Sequence, residues 1–326
     1  MKILVTGSAG HLGEALVRTL RVDGREVVGM DILASPFTTH VGSIVDRSFV
    51  KRCMDGVTTV LHTATLHKPH VSTHSRQEFV DVNITGTLNL LEESVAAGVR
   101  QFVYTSTTSV FGDALVPPPG QPAAWITEAV PSVPKNIYGV TKEAAENLCQ
   151  LFARNQGLPC IVLRTSRFFP EDDDDASKRT AYHGDNAKGN EFLFRRVEIG
   201  DAVQAHLLAA KRATQIGFGR YIISATSPFT PTDLAGLRDH APDVVKRLFS
   251  EYEDIYQRLG WRMFPDIDRV YVNDRARKEL GWNPVYDFKY ILQLLQQGQS
   301  IMSPMATAVG IKGYHGDAYK DGVYPN

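Results

Sequence analysis

Apolar residues first gather at Ile3-Leu4-Val5, a short continuous run that stops before Gly7. Such a run ending in glycine predicts a buried parallel strand. From there the period changes: Leu12, Ala15, Leu16, Thr19 and Leu20 fall at helical spacing. Arg25 to Met30 reads as a second strand closed by Asp31, and Thr58 to His62 as a third. Phe79 to Ala97 predicts a helix with Gly98 as its C-terminal stop. Gln101 to Ser106 returns to strand, Tyr138 to Arg154 to helix, and Cys160 to Leu163 to strand after the break at Gly157-Leu158-Pro159. Strand and helix therefore alternate, which predicts an α/β fold with a parallel, doubly wound sheet. Beyond Leu163 the alternation loosens. Asp172 to Asp175 reads as an acidic loop, Asp201 to Ala213 as helix, Arg220 to Ile223 as strand and Asp233 to Gly260 as mostly helix. Ser303 to Asn326, rich in Gly, Tyr and Pro, reads as an extended tail.

Composition narrows the class. With 43% hydrophobic and 22% charged residues over 326 positions, the chain has the balance of a soluble globular protein. Its net charge of -1 gives no field to recruit nucleic acid or an acidic membrane. The first apolar run is too short for a signal peptide, and no stretch approaches a membrane span. Cys53, Cys149 and Cys160 are odd in number and widely spaced, which argues against a disulfide framework or a structural zinc site and for a reduced, cytoplasmic location.

The turn after the first strand reads Gly7-Ser8-Ala9-Gly10-His11-Leu12-Gly13. Glycine permits a tight turn and lets a pyrophosphate approach the backbone, while the free amides and dipole of the following helix stabilise the anion. Strand before and helix after give the motif its meaning as a Rossmann dinucleotide turn. Asp31 ends the second strand, where a carboxylate accepts hydrogen bonds from the adenosine ribose and repels a 2′-phosphate; NAD is expected over NADP.

Tyr138-Gly139-Val140-Thr141-Lys142 places a phenol and an ammonium four residues apart on one helical face. A lysine charge there is expected to lower the tyrosine pKa toward working pH. An amphipathic helix can also carry such a pair on its surface with no chemical role. Upstream, the hydroxyl cluster Thr105-Ser106-Thr107-Thr108-Ser109 closes a strand on the carboxyl edge of the sheet, where α/β proteins bind ligands.

Together these segments resemble an extended short-chain dehydrogenase/reductase of the NAD-dependent epimerase/dehydratase family. The likeness rests on Thr6-Gly7-x-x-Gly10-x-x-Gly13, Asp31, Asn83-Ile84-Thr85-Gly86-Thr87, Thr105 to Gly112, and Thr127-Glu128 before Tyr138-x-x-x-Lys142. Glu198-Ile199-Gly200-Asp201-Ala202 and Leu280-Gly281-Trp282-Asn283-Pro284 extend it to about residue 290. The resemblance implies that Tyr138 is the general acid or base, Lys142 its partner and a ligand of the nicotinamide ribose, and Thr107 the assisting hydroxyl. It places Gly7, Gly10, His11, Leu12, Gly13 and Asp31 around the cofactor, Ser43 and Ile44 beside the adenine, and Ala64 and His67 alongside the dinucleotide. Asn83 would support the active-site backbone. Ser43 stands where the family usually has aspartate. Residues 1–165 would form the NAD-binding domain, with segments near 196–225 returning to it. Residues 166–326 would form a smaller, mostly C-terminal α/β substrate lobe and the tail. A homodimer is implied through the helices bearing Asn83 and Tyr138.

Hydride transfer from a substrate hydroxyl to NAD is the implied first step, shared by dehydrogenases, epimerases and dehydratases. The leading expectation is an epimerase or dehydrogenase acting on a sugar or sugar-like small molecule, which includes nucleotide sugars. A reductase of small aldehydes or ketones, and a non-catalytic NAD-binding regulator, remain alternatives. Arg167 replaces the family's substrate-contacting asparagine, and the segment between Pro170 and Glu198 is short for the family. Arg167 can pair with a substrate carboxylate or phosphate or make a structural ion pair; Thr108 and Arg195 are further substrate candidates. His62, His67, His70 and His74 cluster after a strand, yet no accompanying ligand pattern points to a metal. The acidic run lacks the glycine spacing of a calcium loop.

Overall fold

The computed structural model describes residues 2–173 and 176–313. Asp174, Asp175 and residues 314–326 of the expected tail lie outside them. The chain begins β1 (Lys2–Thr6), α1 (His11–Val22), β2 (Glu26–Asp31), β3 (His40–Val41), α2 (Arg47–Cys53) and β4 (Val57–His62). A helical stretch follows as α3 (Arg76–Phe79), a π-helical turn (Val80–Thr85) and α4 (Gly86–Ala96). Then come β5 (Gln101–Thr107), β6 (Ala124–Ile126), α5 (Ile137–Gln156), β7 (Cys160–Thr165), α6 (Ala176–Ala181) and α7 (Gly184–Glu191). The remainder is α8 (Ile199–Ile216), β8 (Phe218–Ile223), α9 (Leu234–Leu248), α10 (Tyr252–Leu259), β9 (Arg269–Tyr271), α11 (Asp274–Leu280), α12 (Phe288–Gln296) and α13 (Pro304–Val309).

Seven strands form one parallel sheet in the order β3-β2-β1-β4-β5-β7-β8. The order reverses between β1 and β4, which opens a crevice over the carboxyl ends of the strands. Alternation within each strand divides the core. Ile3, Val5, Leu61, Val103, Ile161 and Leu163 pack against Leu12, Leu16 and Val203 on one face. Leu4, Val60, Phe102, Tyr104 and Val162 pack against Leu90, Cys149 and Phe152 on the other. Each fully buried aliphatic or aromatic side chain contributes about 1.5–3 kcal/mol, so these two layers hold the strand ends that carry the site in register.

A second, smaller core joins Leu193, Phe194, Leu237, Val245, Tyr256, Phe264, Phe288 and Leu292. Its edge is the short parallel pair β6–β9. Asp201 ties this part to the sheet: its carboxylate accepts from the amides of Val285 and Tyr286, both at 2.9 Å, and its carbonyl accepts from Trp282 Nε1.

Several expected elements differ in outline. The helix anticipated at Phe79 starts at Arg76, where Ser75 and Glu78 form a capping box, and it is interrupted by the π-turn. The stretch from Asp233 to Gly260 splits into α9 and α10, and α9 is kinked at His240, two residues before Pro242. The expected extended tail instead begins with α13, because Ser303 accepts from the Ala306 amide and Pro304 fits the first helical position.

Candidate active site

A cleft of about 1200 Å³ runs over the carboxyl ends of β1, β2, β4, β5 and β7. Its floor at one end is the glycine turn. Gly7 has φ +71°, and a Cβ there would lie 2.8 Å from the Ala64 amide. A Cβ on Gly13 would lie 1.9 Å from the Gly7 carbonyl oxygen, so that position admits no side chain. Gly10 is the N-cap of α1 and brings no capping side chain, which leaves first-turn amides for an anion. Gly7, Gly10, His11, Leu12, Gly13 and Asp31 all line this end. Asp31 is anchored by the amides of Ala9 and Leu33, each at 2.9 Å, one per carboxylate oxygen. Each oxygen retains a lone pair for a ribose hydroxyl. This cradle fits a dinucleotide: Gly7 and Gly13 leave no room for a side chain, and its donors and acceptor match a pyrophosphate followed by a ribose.

Ser43 and Ile44 also line the cleft. Asn89 fixes their loop by donating to the carbonyls of Ile44 and Val45, both at 3.0 Å. Ala64 and His67 form the wall that follows β4. Asn83 does not reach the cleft. It is buried in the π-turn, where its Oδ1 accepts from the Leu66 amide at 2.8 Å and from Thr65 Oγ1 at 2.9 Å. Its Nδ2 donates to Leu66 O at 3.2 Å and to Thr141 Oγ1 at 3.0 Å. Asn83 thus joins the β4 loop to α5, between Tyr138 and Lys142.

Helix α5 starts where Asn136 accepts from the Gly139 amide at 3.1 Å. Its first turns bring Tyr138 and Lys142 to the cleft, opposite Thr107 and Thr108 at the end of β5. Burial pushes the Tyr138 phenol up to about 12, while a hydrogen bond with Thr107 works downward. The expected lowering by Lys142 is not seen. Lys142 Nζ instead donates to Thr105 O at 2.6 Å and lies 4.2 Å from the centre of the Tyr104 ring. Burial brings this ammonium down to about 7, against the opposing charge of Glu146. Near neutrality Tyr138 is therefore a proton-bearing phenol, and Lys142 is poised between charged and neutral.

Sequence reasoning missed Glu146, which is buried one turn beyond Lys142. It accepts from Ser106 Oγ at 2.5 Å, Arg164 Nη2 at 2.8 Å and Arg220 Nε at 3.1 Å. The i+4 spacing from Lys142 is its only signal in the chain. His67 and His70 are held below the ordinary imidazole range, first by burial, His70 at about 4. His70 Nδ1 accepts from the His67 amide at 2.9 Å, and His74 Nδ1 contacts Thr73 Oγ1. Among the described residues no group of three or more His, Cys, Asp or Glu is placed to hold a metal ion. Among them, too, no helix is long and apolar enough to cross a membrane.

At the far end of the cleft stand Arg167, Lys178, Arg195, Arg269 and Tyr271. Arg167 is turned to backbone, donating to Asp172 O at 2.6 Å. Arg195 donates to Asp173 Oδ2 at 2.8 Å and Glu191 Oε1 at 2.6 Å, while its buried Nε has no hydrogen-bond partner. Lys178 is lowered by burial and then by the charge of Arg195. Lys178 and Arg269 are separated from Arg195 by long stretches of chain, which is why sequence spacing gave no hint of the group.

The NAD dependent epimerase/dehydratase family matches residues 3–221. A UDP-glucose 4-epimerase of Streptomyces lividans is 32% identical over 171 residues, covering 49% of this chain and 50% of that protein. Relative to such proteins the match spans about half their length. A 3 beta-hydroxysteroid dehydrogenase/Delta 5→4-isomerase of Mycobacterium tuberculosis is 33% identical over 366 residues, covering 95% of this chain and 96% of its own. A short-chain dehydrogenase/reductase superfamily protein of Agrobacterium tumefaciens, solved with bound NAD, shares the fold with a TM-score of 0.64 and 24% identity, over 91% of this chain and 96% of its own.

Proposed function

The chain belongs to the NAD-dependent epimerase/dehydratase family, and from that premise we propose that it transfers hydride between NAD and a carbinol carbon of a sugar-like substrate, with Tyr138 as the proton-transfer group. One observation carries the reading: Thr107, Tyr138 and Lys142 converge on the same cleft that the glycine turn and Asp31 floor. NAD, when bound, supplies the hydride acceptor. Thr107 hydrogen-bonds Tyr138 and orients its hydroxyl at the reacting oxygen. Tyr138 holds the proton that a carbonyl receives on reduction, and takes it back on oxidation. Lys142, four residues on, faces the same space and holds the ribose side of the cofactor.

The substrate end supports a molecule with an anionic group, because Arg167, Lys178, Arg195 and Arg269 outnumber Asp173 among the charged residues that line it. Sugar acids and nucleotide sugars meet that description, and the similarity to a UDP-glucose 4-epimerase supports it. The full-length similarity to a 3 beta-hydroxysteroid dehydrogenase supports a second reading, a ring alcohol oxidised without an anionic handle; Leu115, Val116 and Phe168 supply apolar wall for it. Free sugars, uronates, hydroxy acids, nucleotide sugars and 3 beta-hydroxysteroids, each incubated with NAD and followed by NADH absorbance and NMR, separate these readings. Net NADH marks a dehydrogenase. Stereochemical change without net NADH marks an epimerase. Silence across all of them favours a non-catalytic NAD-binding regulator.

We read residues 1–165, with 196–225, as the cofactor half and the rest as mainly the substrate half. Val95 on α4 and Val140 and Leu151 on α5 are exposed apolar side chains, which supports a homodimer through those helices; sedimentation of the wild type and of Val140→Glu tests it. The free thiols of Cys53, Cys149 and Cys160 are consistent with a reducing, cytoplasmic setting.

A further inference from the structure

The glycine turn is crossed by two segments that no motif in the chain announces. After β7 the chain passes Phe169, whose ring meets His11 edge-on at 5.1 Å, and reaches Glu171. The Glu171 carboxylate is buried and lies 2.9 Å from His11 Nε2. On the same Oε1 it accepts the backbone amide of Lys312 at 3.0 Å. The Lys312 ammonium then pairs with Glu14, in the first turn of α1. Glu14 already has Arg18 Nε at 2.7 Å, so Lys312 adds a second positive charge at the start of the helix. Arg18 also donates to Ala308 O at 3.3 Å, which fixes the end of α13 against α1. Lys312, Phe169, His11 and Gly10 line one continuous cleft.

We propose that Glu171 and Lys312 form a latch across the glycine turn, with Lys312 a binding residue for the cofactor's pyrophosphate, so that NAD is retained while the latch is closed. This rests on the placement of the dinucleotide over α1 read above. The physical case has two parts. A pyrophosphate on the first-turn amides puts negative charge beside Glu14, and Lys312 is the mobile-stemmed cation at hand to share between them. Opening the segment takes the Lys312 amide from the buried Glu171 carboxylate, which keeps its contact with His11, at the cost of one charge-assisted hydrogen bond. The closed arrangement is therefore favoured, and a pyrophosphate held by Lys312 leaves only when that contact breaks. Such retention suits a reaction in which hydride taken from a substrate is returned within one turnover.

The test is stopped-flow release of NADH from the full-length protein, chased with excess NAD, in wild type, Lys312→Met, Lys312→Arg and Glu171→Ala. Circular dichroism confirms that each variant is folded. The latch predicts release about tenfold faster in Lys312→Met, faster release in Glu171→Ala, which removes the acceptor of the Lys312 amide, and restoration by Lys312→Arg. Wild-type release from a folded Lys312→Met protein would overturn the latch, as would equal acceleration in Lys312→Arg. A wild type with no NADH binding at all would instead overturn the cofactor placement, so the two failures are distinguishable.

Discussion

At the scale of single residues, the chemistry turns on how burial sets protonation. Tyr138 is pushed up to about 12 and Lys142 down to about 7. Oxidation needs a proton acceptor, so the proton-bearing phenol opposes it and the rate of oxidation rises with pH. Reduction uses the phenol as it stands. A plot of log kcat/KM for the oxidising direction should climb steadily between about pH 6 and 9; a flat profile there would remove Tyr138 from proton transfer. Asp31 has a separate duty. Replacing it with alanine frees the amides of Ala9 and Leu33 and deletes the ribose acceptor. The preference for NAD over NADP should fall by about tenfold, read as the ratio of dissociation constants. An unchanged ratio would mean that another group makes the choice.

At the scale of elements, much of the framework was readable because it rests on local periodicity. Strands β1, β5 and β7 show as short unbroken apolar runs at Ile3–Val5, Phe102–Tyr104 and Cys160–Leu163, β4 only as Val60-Leu61 after two threonines, and the glycine turn has a spacing that a close backbone approach explains. The π-turn at Val80–Thr85 was invisible, since one extra residue in a helical turn leaves the apolar pattern nearly unchanged. That turn seats Asn83 inward, between the β4 loop and α5. Asn83→Ala should cost about 1–3 kcal/mol, measured by denaturant titration, and lower turnover more than NAD affinity. Equal losses of both would make Asn83 a general stabiliser. Gly13→Ala should abolish NAD binding, because its methyl has to displace the Gly7 carbonyl. Strands β6 and β9, three residues each, were missed because among the described residues each pairs only with the other, far along the chain.

Across the whole molecule, the substrate side was the least readable part. Position in the chain makes Arg195 a candidate for substrate contact and leaves Arg167 open between a substrate carboxylate or phosphate and a structural ion pair. Folding turns Arg167 to the Asp172 carbonyl and gives Arg195 two carboxylates, contacts set by a long-range packing that no spacing encodes. The same long range assembles Glu146 with Arg164 and Arg220 from three elements of the sheet and its covering helix. Glu146→Ala leaves two cations without their carboxylate and should destabilise the fold by about 3–5 kcal/mol; a change near zero in the unfolding free energy would show that solvent replaces it. The glycine turn, Asp31 and Tyr138 come from separate strands and one helix, yet the sheet order delivers them to one crevice, and the proposed activity depends on that convergence. The most direct measurement is turnover of the substrate set with NAD by wild type and Tyr138→Phe, alongside calorimetric NAD affinity for both. The prediction is NADH formation or stereochemical change by the wild type with at least one substrate, a loss of about a hundredfold or more in Tyr138→Phe, and equal NAD affinity. Wild-type turnover by Tyr138→Phe, or a wild type that binds NAD and leaves every substrate unchanged, would contradict it.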